Sequence, residues 1–220
     1  MDTLAQVKSE IAKAAEYCGR KADDVTLVAV SKTHPAAEIL PLLRAGHRVF
    51  GENRVQEAAE KFPALPEQYP DLKLHLIGGL QTNKVKEAVA LFDVIETVDR
   101  VELAEKLAAE MEKQGRNLPC FVQVNTGEEP QKGGVVPRET ISLVEKCRKL
   151  GLNVVGLMCI PPVDDEPSPH FAFLKKLARQ AGVKELSMGM SGDYPLAVQQ
   201  GATFVRVGTA LFGERDYSGK

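Results

Sequence analysis

The chain has no close pair of cysteines. Cys18, Cys120, Cys147 and Cys159 stand far apart with no CxxC spacing, which argues against a zinc or redox site and leaves four reduced structural thiols as the expectation. Nor is there a surplus of positive charge. With 28 Lys and Arg against 30 Asp and Glu the net charge is −2, so neither nucleic acid nor an anionic membrane is expected as a partner, because both call for a basic footprint. No apolar run is long enough to cross a bilayer, and Met1 leads into a charged amphipathic segment rather than a signal peptide, so the cytoplasm is the default location. Exact repeats, low-complexity tracts and linkers are missing as well. What remains, 44% hydrophobic and 26% charged residues over a length of 220, is ordinary for a globular protein, and residues 1–220 read as one domain.

The stretch that organises the rest is VTLVAVSKTH, from Val25 to His34. Its near-continuous apolar run is the pattern of a strand buried on both faces, and it ends abruptly on Ser31, Lys32 and Thr33. Pro35 suits the first turn of a following helix. The same alternation then recurs along the chain. Strands are expected at HRVFGEN, LKLHLIGG, DVIETVD, PCFVQV, NVVGLMCIPP, LSMGMSGD and TFVRVGTALFG, with amphipathic helices between them. Leu4, Val7, Ile11, Ala14 and Ala15 add a helix before the first strand. Eight strand–helix alternations spaced by roughly 20–30 residues predict a closed (β/α)8 TIM barrel with an extra N-terminal helix rather than an open sheet.

In such a fold Lys32 lies at the carboxyl end of the first strand, where barrels place their chemistry. A partly desolvated ammonium there has a lowered pKa and an accessible neutral, nucleophilic amine; a lysine on a surface loop is the other reading. Two late turns are suited to a phosphate. In SMGMSGD Ser191 supplies a hydroxyl before a helix start, and in VRVGTALFG Gly208 allows close backbone approach while Thr209 adds a second hydroxyl. Together they fall after strands seven and eight, a frequent phosphate position in barrels. An amine after strand one and a phosphate after strands seven and eight suggest a phosphorylated aldehyde held as a Schiff base. Arg206 lies inside the apolar strand FVRVG, where a guanidinium is costly without an acceptor. Facing inward, it would meet the ring nitrogen of pyridoxal phosphate and disfavour its protonation; facing outward, it would cap a neighbouring carboxylate.

The segments AVSKTHP, FGENRVQEA, HLIGGLQTNK, VNTGEEPQKGG, GLMCIPP, LSMGMSGDYPLAVQQGAT and VRVGTALFG together resemble the YggS/PROSC family of pyridoxal phosphate homeostasis proteins, over about Val25 to Gly213. The resemblance implies the barrel of alanine racemase without its second, β-rich domain, with pyridoxal 5'-phosphate bound as a Schiff base to Lys32. It implies phosphate contacts from Ser191, Gly208 and Thr209, Arg206 near the pyridine nitrogen, and Asn53 and Ile77 beside the ring. Leu76 and Thr126 depart from the usual family residues, and neither belongs to a phosphate or Schiff-base group. The implied role is a monomeric, largely non-catalytic store of the cofactor that supplies pyridoxal phosphate-dependent apoenzymes.

A racemase or a Schiff-base aldolase is the alternative. Racemisation needs a second acid/base group on the other face of the cofactor, and no further domain is expected to supply one. His34, His75, Tyr194 and Tyr217 are the candidates within the chain. His75 reads equally as a hydrogen-bonded strand residue, and His34 as a cap on the loop after Lys32. His47 and His170 read as surface residues. Glu52 could serve as an acid/base partner, but pairing with a basic neighbour is the expectation. GEEPQKGG reads as a solvated loop or as a lid over the cofactor, and Asp164, Asp165 and Glu166 read as an exposed helix start rather than a metal site.

Overall fold

The computed structural model describes residues 3–63, 65 and 67–213; Tyr217 lies outside them. Parallel strands β1 (Thr26–Val30), β2 (Val49–Glu52), β3 (Lys73–Leu76), β4 (Val94–Val98), β5 (Pro119–Val124), β6 (Asn153–Cys159), β7 (Glu185–Ser187) and β8 (Phe204–Val207) close in chain order into a barrel. The seam is regular, with Thr26 opposite Phe204 and Ala29 opposite Val207. Helices α1 (Thr3–Tyr17), α2 (Ala36–Arg44), α3 (Val55–Lys61), α4 (Val85–Leu91), α5 (Val101–Gln114), α6 (Thr140–Lys149), α7 (Pro167–Ala181), α8 (Tyr194–Gln200) and α9 (Thr209–Phe212) surround it. The expected TIM barrel with an added N-terminal helix is the fold observed.

The apolar run of β1 has its reason in the two layers it separates. Leu27 and Ala29 belong to the core between sheet and helices, whereas a Cβ on Gly51 would meet Val28 Cγ1 at 2.9 Å and Ile77 Cδ1 at 3.1 Å, inside the barrel. Alternate residues therefore serve the outer core and the interior, and continuing that period carries Val30 and Lys32 to the mouth. Helix α1 buries Leu4, Val7, Ile11, Ala14 and Ala15, and packs on α8 and α9.

Several expectations shift on folding. β7 is only Glu185–Ser187, because Gly189 takes a left-handed turn (φ 93°) and the residues after it leave the sheet as a loop. TALFG is not strand: Gly208 O accepts from the Leu211 and Phe212 amides, opening α9. His47 is buried rather than exposed. Its Nε2 lies 2.7 Å from Val49 O and its ring meets Phe50 edge-on, so burial pushes its pKa down to about 4 and the neutral ring donates to that carbonyl. His170 is half-buried, with Nε2 3.3 Å from Asp165.

Strand β3 leaves the sheet through Gly78, whose missing side chain allows the closest backbone approach near the mouth. A Cβ there would stand 2.2 Å from Asn53 O and 2.7 Å from Asn53 Cα. Because the obstacle is backbone, Gly78→Ala is expected to force β2 and β3 apart and to cost about 3 kcal/mol, the upper end for overpacking. Chemical denaturation measures it, and an unchanged midpoint would show that this approach is not tight.

Candidate functional site

A cavity of about 250 Å³ opens at the carboxyl end of the barrel. Lys32, Asn53, Ile77, Ser191, Arg206, Gly208 and Thr209 all line it, although they come from β8 and from the segments that follow β1, β2, β3, β7 and β8. Val30, Ile160 and Met190 supply apolar wall. On one side Ser191 Oγ accepts from the backbone amides of Gly208 (3.2 Å) and Ala210 (3.4 Å), which ties the loop after β7 to the start of α9. Gly208 also lies close to β1, where a Cβ would stand 3.3 Å from Val30 O. His34 also lines the cavity. Its ring stacks on Phe212 at 4.8 Å and its Nδ1 lies 2.7 Å from Glu38 Oε2.

The backbone on both sides of Lys32 is held by one cluster between β2 and α3. Ser31 Oγ donates to Glu52 Oε1 at 2.7 Å, and Lys61 Nζ donates to Ser31 O at 2.8 Å and to Glu52 Oε1 at 3.0 Å. Lys61 also donates to Glu57, and Glu57 accepts from the Thr33 amide. Thr33 is left-handed (φ 68°), a strained conformation for a β-branched residue that persists only where its surroundings impose it. The expected basic partner of Glu52 is thus Lys61. Burial raises the Glu52 carboxyl pKa, and the Ser31 and Lys61 contacts offset this only in part; Glu52 Oε2 is buried with no hydrogen-bond partner among the described residues. At Glu57 burial also opposes the charge, but Lys61 and the Thr33 amide outweigh it and hold that carboxyl below its usual range.

Under the cavity floor a second cluster fills the barrel interior. Arg206, inward and 3% exposed, donates from Nη2 to Cys159 O at 2.8 Å and from Nη1 to Ser187 Oγ at 2.6 Å. Ser187 Oγ donates to Glu96 Oε2 at 2.5 Å, and Glu96 Oε1 lies 2.6 Å from His75 Nδ1. The outward reading of Arg206 is therefore corrected, and the carboxylate it answers lies inside the barrel.

Other sequence candidates fall elsewhere. The Tyr194 hydroxyl donates to Glu10 of α1, away from the cavity. The GEEPQKGG loop folds back on its own strand: Asn125 Nδ2 donates to Glu129 O at 2.8 Å, and Lys132 Nζ pairs with Glu129 at 2.6 Å and reaches Pro161 O at 3.2 Å. It is neither freely solvated nor among the residues that line the cavity. Glu166 accepts from the Ser168 amide at the start of α7, and Asp164 and Asp165 are exposed beside it. Among the described residues no group of three or more His, Cys, Asp or Glu is placed to hold a metal ion.

The sequence matches the family described as alanine racemase, N-terminal domain, over residues 3–216. A pyridoxal phosphate homeostasis protein of Vibrio cholerae is 42% identical over 226 aligned positions, covering 98% of this chain and 96% of the relative. The chain belongs to the pyridoxal phosphate homeostasis protein family. Among solved structures, PipY of Synechococcus elongatus without PLP superposes with TM-score 0.82 at 41% identity, over 94% of this chain and 100% of PipY. PipY with PLP bound gives 0.80 at 42% identity, over 92% and 100%. Alanine racemase of Clostridium difficile shares the fold (TM-score 0.71, 18% identity), with 98% of this chain covering 56% of that enzyme.

Four residues of this family member escape a reading by motif: Glu96, Ser187, Glu57 and Lys61. Glu96 carries the same signal as Arg206, a charge inside an apolar strand, here between Ile95 and Val98 in DVIETVD. Opposite charges in two such strands are a hint that they meet. Ser187, Glu57 and Lys61 carry no comparable signal, since a serine in a strand and an i,i+4 Glu–Lys pair on a helix are commonplace.

Proposed function

We propose that this protein binds pyridoxal 5'-phosphate, covalently on Lys32, and serves cytoplasmic vitamin B6 homeostasis as a store and carrier of the cofactor. The observation that carries the reading is the convergence on one cavity of an amine, a buried guanidinium and a hydroxyl-and-glycine cradle from two different loops. The residues fit the molecule. Ser191, Gly208 and Thr209 form the anion end, and the guanidinium of Arg206, with five donors and two of them spent on Ser187 and Cys159, faces the ring-nitrogen end. Ile77, Val30 and Ile160 supply the apolar wall against the ring. When bound, the cofactor would supply an aldehyde carbon with which the Lys32 amine could condense, releasing water.

The chain's own residues favour storage over turnover. A permanently charged Arg206 beside the ring nitrogen disfavours a proton there, which weakens the cofactor as an electron sink. Of the four acid/base candidates only His34 is shown lining the cavity, and it is committed to Glu38 and Phe212. The relatives named for pyridoxal phosphate homeostasis and the PLP-bound PipY structure support cofactor binding and a homeostasis role. Monomeric behaviour and transfer to apoenzymes belong to the proposal too.

The test is titration of the purified chain with pyridoxal phosphate, followed between 300 and 500 nm, with borohydride reduction and peptide mapping. A band near ~420 nm and a reduced adduct on the Lys32 peptide are expected. Amino-acid racemisation by the loaded protein, lost on His34→Ala, would move the reading to the racemase alternative, and a colourless protein would end the cofactor reading.

A further inference from the structure

We infer that Glu96, acting through Ser187, is a positioning residue for Arg206 and sets how much positive charge the barrel presents to a ring nitrogen in the cavity. The inference rests on the pyridoxal phosphate reading and concerns residues that do not themselves line the cavity. Arg206 is the one member of the cluster that does.

The direction of the hydrogen bonds is set by the donors available. A guanidinium has no acceptor, so Arg206 Nη1 must donate to Ser187 Oγ, and the single hydroxyl proton of Ser187 is left for Glu96 Oε2. The serine is therefore a one-way link between cation and carboxylate. Its companion contact, Arg206 Nη2 to Cys159 O, fixes the other arm from a different strand, so the plane of the guanidinium is set from β6 and β7 together. Glu96 has no solvent contact, and its second oxygen is taken by His75. His75 from β3 and Arg206 from β8 are the titratable and charged groups acting on it. Burial opposes its charge, yet His75, Arg206 and the Ser187 hydrogen bond together outweigh it and hold the carboxyl below its usual range.

A fully buried carboxylate is expensive to keep, and a neutral group of the same size would place no such demand on the fold. What it does here is compensate Arg206. With Glu96 charged, the cavity meets a guanidinium whose field is partly cancelled from behind; with Glu96 neutral, it meets the full charge. The consequence is specific: Glu96→Gln disfavours protonation on the bound cofactor's nitrogens, while Glu96→Asp, which keeps the charge, does so far less.

The experiment is a pH titration of the visible band of the cofactor-loaded protein for the native chain, Glu96→Gln, Glu96→Asp and Ser187→Ala. Cofactor affinity is measured by fluorescence, and thermal unfolding of the unloaded chains reports folding. Glu96→Gln is expected to lower the titration midpoint by about one pH unit, a tenfold change in proton affinity, with Glu96→Asp restoring most of it. Ser187→Ala keeps both charges but frees one arm of Arg206, so its affinity falls about tenfold with little change of midpoint. If Glu96→Gln lowers thermal stability yet leaves the midpoint in place, Glu96 is merely structural and the inference is overturned. If Glu96→Gln does not fold, Ser187→Ala decides, and unchanged affinity there overturns it. A native chain that forms no band would instead defeat the pyridoxal phosphate reading itself.

Discussion

Lys32→Ala is expected to leave no borohydride-stable adduct on the chain and to weaken pyridoxal phosphate binding on the order of 100-fold, about 2.7 kcal/mol. The substitution removes the one amine among the residues shown lining the cavity, so the carbonyl group has no partner there and the band near ~420 nm is lost. The remaining contacts are non-covalent. Ser191, Gly208, Thr209 and Arg206 are untouched by the change, and they should still hold the phosphate and the ring reversibly. A binding isotherm of the variant, followed by fluorescence and then by reduction and mass spectrometry, separates the two contributions. An adduct of the same yield on another lysine would remove Lys32 from its assigned role, and complete loss of binding would show that the anion cradle contributes little alone.

Lys61→Met is expected to weaken the fold as much as Gly78→Ala. Lys61 is the cation of the cluster behind Lys32, with its side chain 10% exposed beside a Glu52 side chain that is 0% exposed. Methionine keeps the length of the stem but leaves Glu52 buried without its ion partner, and unfolding stability should fall by about 3 kcal/mol at neutral pH. The pH dependence carries a sign that can be worked out. Glu52 has a raised carboxyl pKa, so its charge costs stability as pH rises through that value, and acid relieves the cost. Glu57 has a lowered one, so its contribution is complete above the unfolded carboxyl pKa and is lost as pH falls. Removing Lys61 raises both, and the deficit of the variant should therefore shrink as the pH is lowered toward ~5. Urea unfolding at about pH 5 and about pH 8 checks this. A deficit that is equal at both would mean that lost packing of the lysine stem, not charge, is responsible. The same variant should also loosen Ser31 and Thr33, and with them the aim of Lys32.

The architecture can be read from the chain because barrel strands and helices announce themselves locally. The run at Val25–Val30 is apolar at nearly every position because it serves two cores, and Leu103, Leu107 and Met111 recur at helical spacing because only one face of α5 is covered. Boundaries are less legible. SMGMSGD looks like the end of a strand, yet Gly189 turns it out of the sheet just past the end of β7, and nothing in the composition distinguishes a strand that continues from one that turns. His47 escapes for a similar reason. A histidine after a helix-ending glycine is ordinary surface chemistry until Phe50 and the Val49 carbonyl are brought against it.

Local order along the chain determined the strand ends at which Lys32, Asn53, Ile77, Ser191, Arg206, Gly208 and Thr209 stand, since a parallel barrel sends the end of every strand to the same face. Only closure of the barrel decided which polar residues meet across its interior. Glu96 and Arg206 are 110 positions apart, on β4 and β8, and Ser187 lies 91 positions from Glu96, on β7. No periodicity links residues so distant. They are joined because the interior is narrow enough for side chains from opposing strands to touch, and because a buried charge in that space must find its counter-charge there or not be kept.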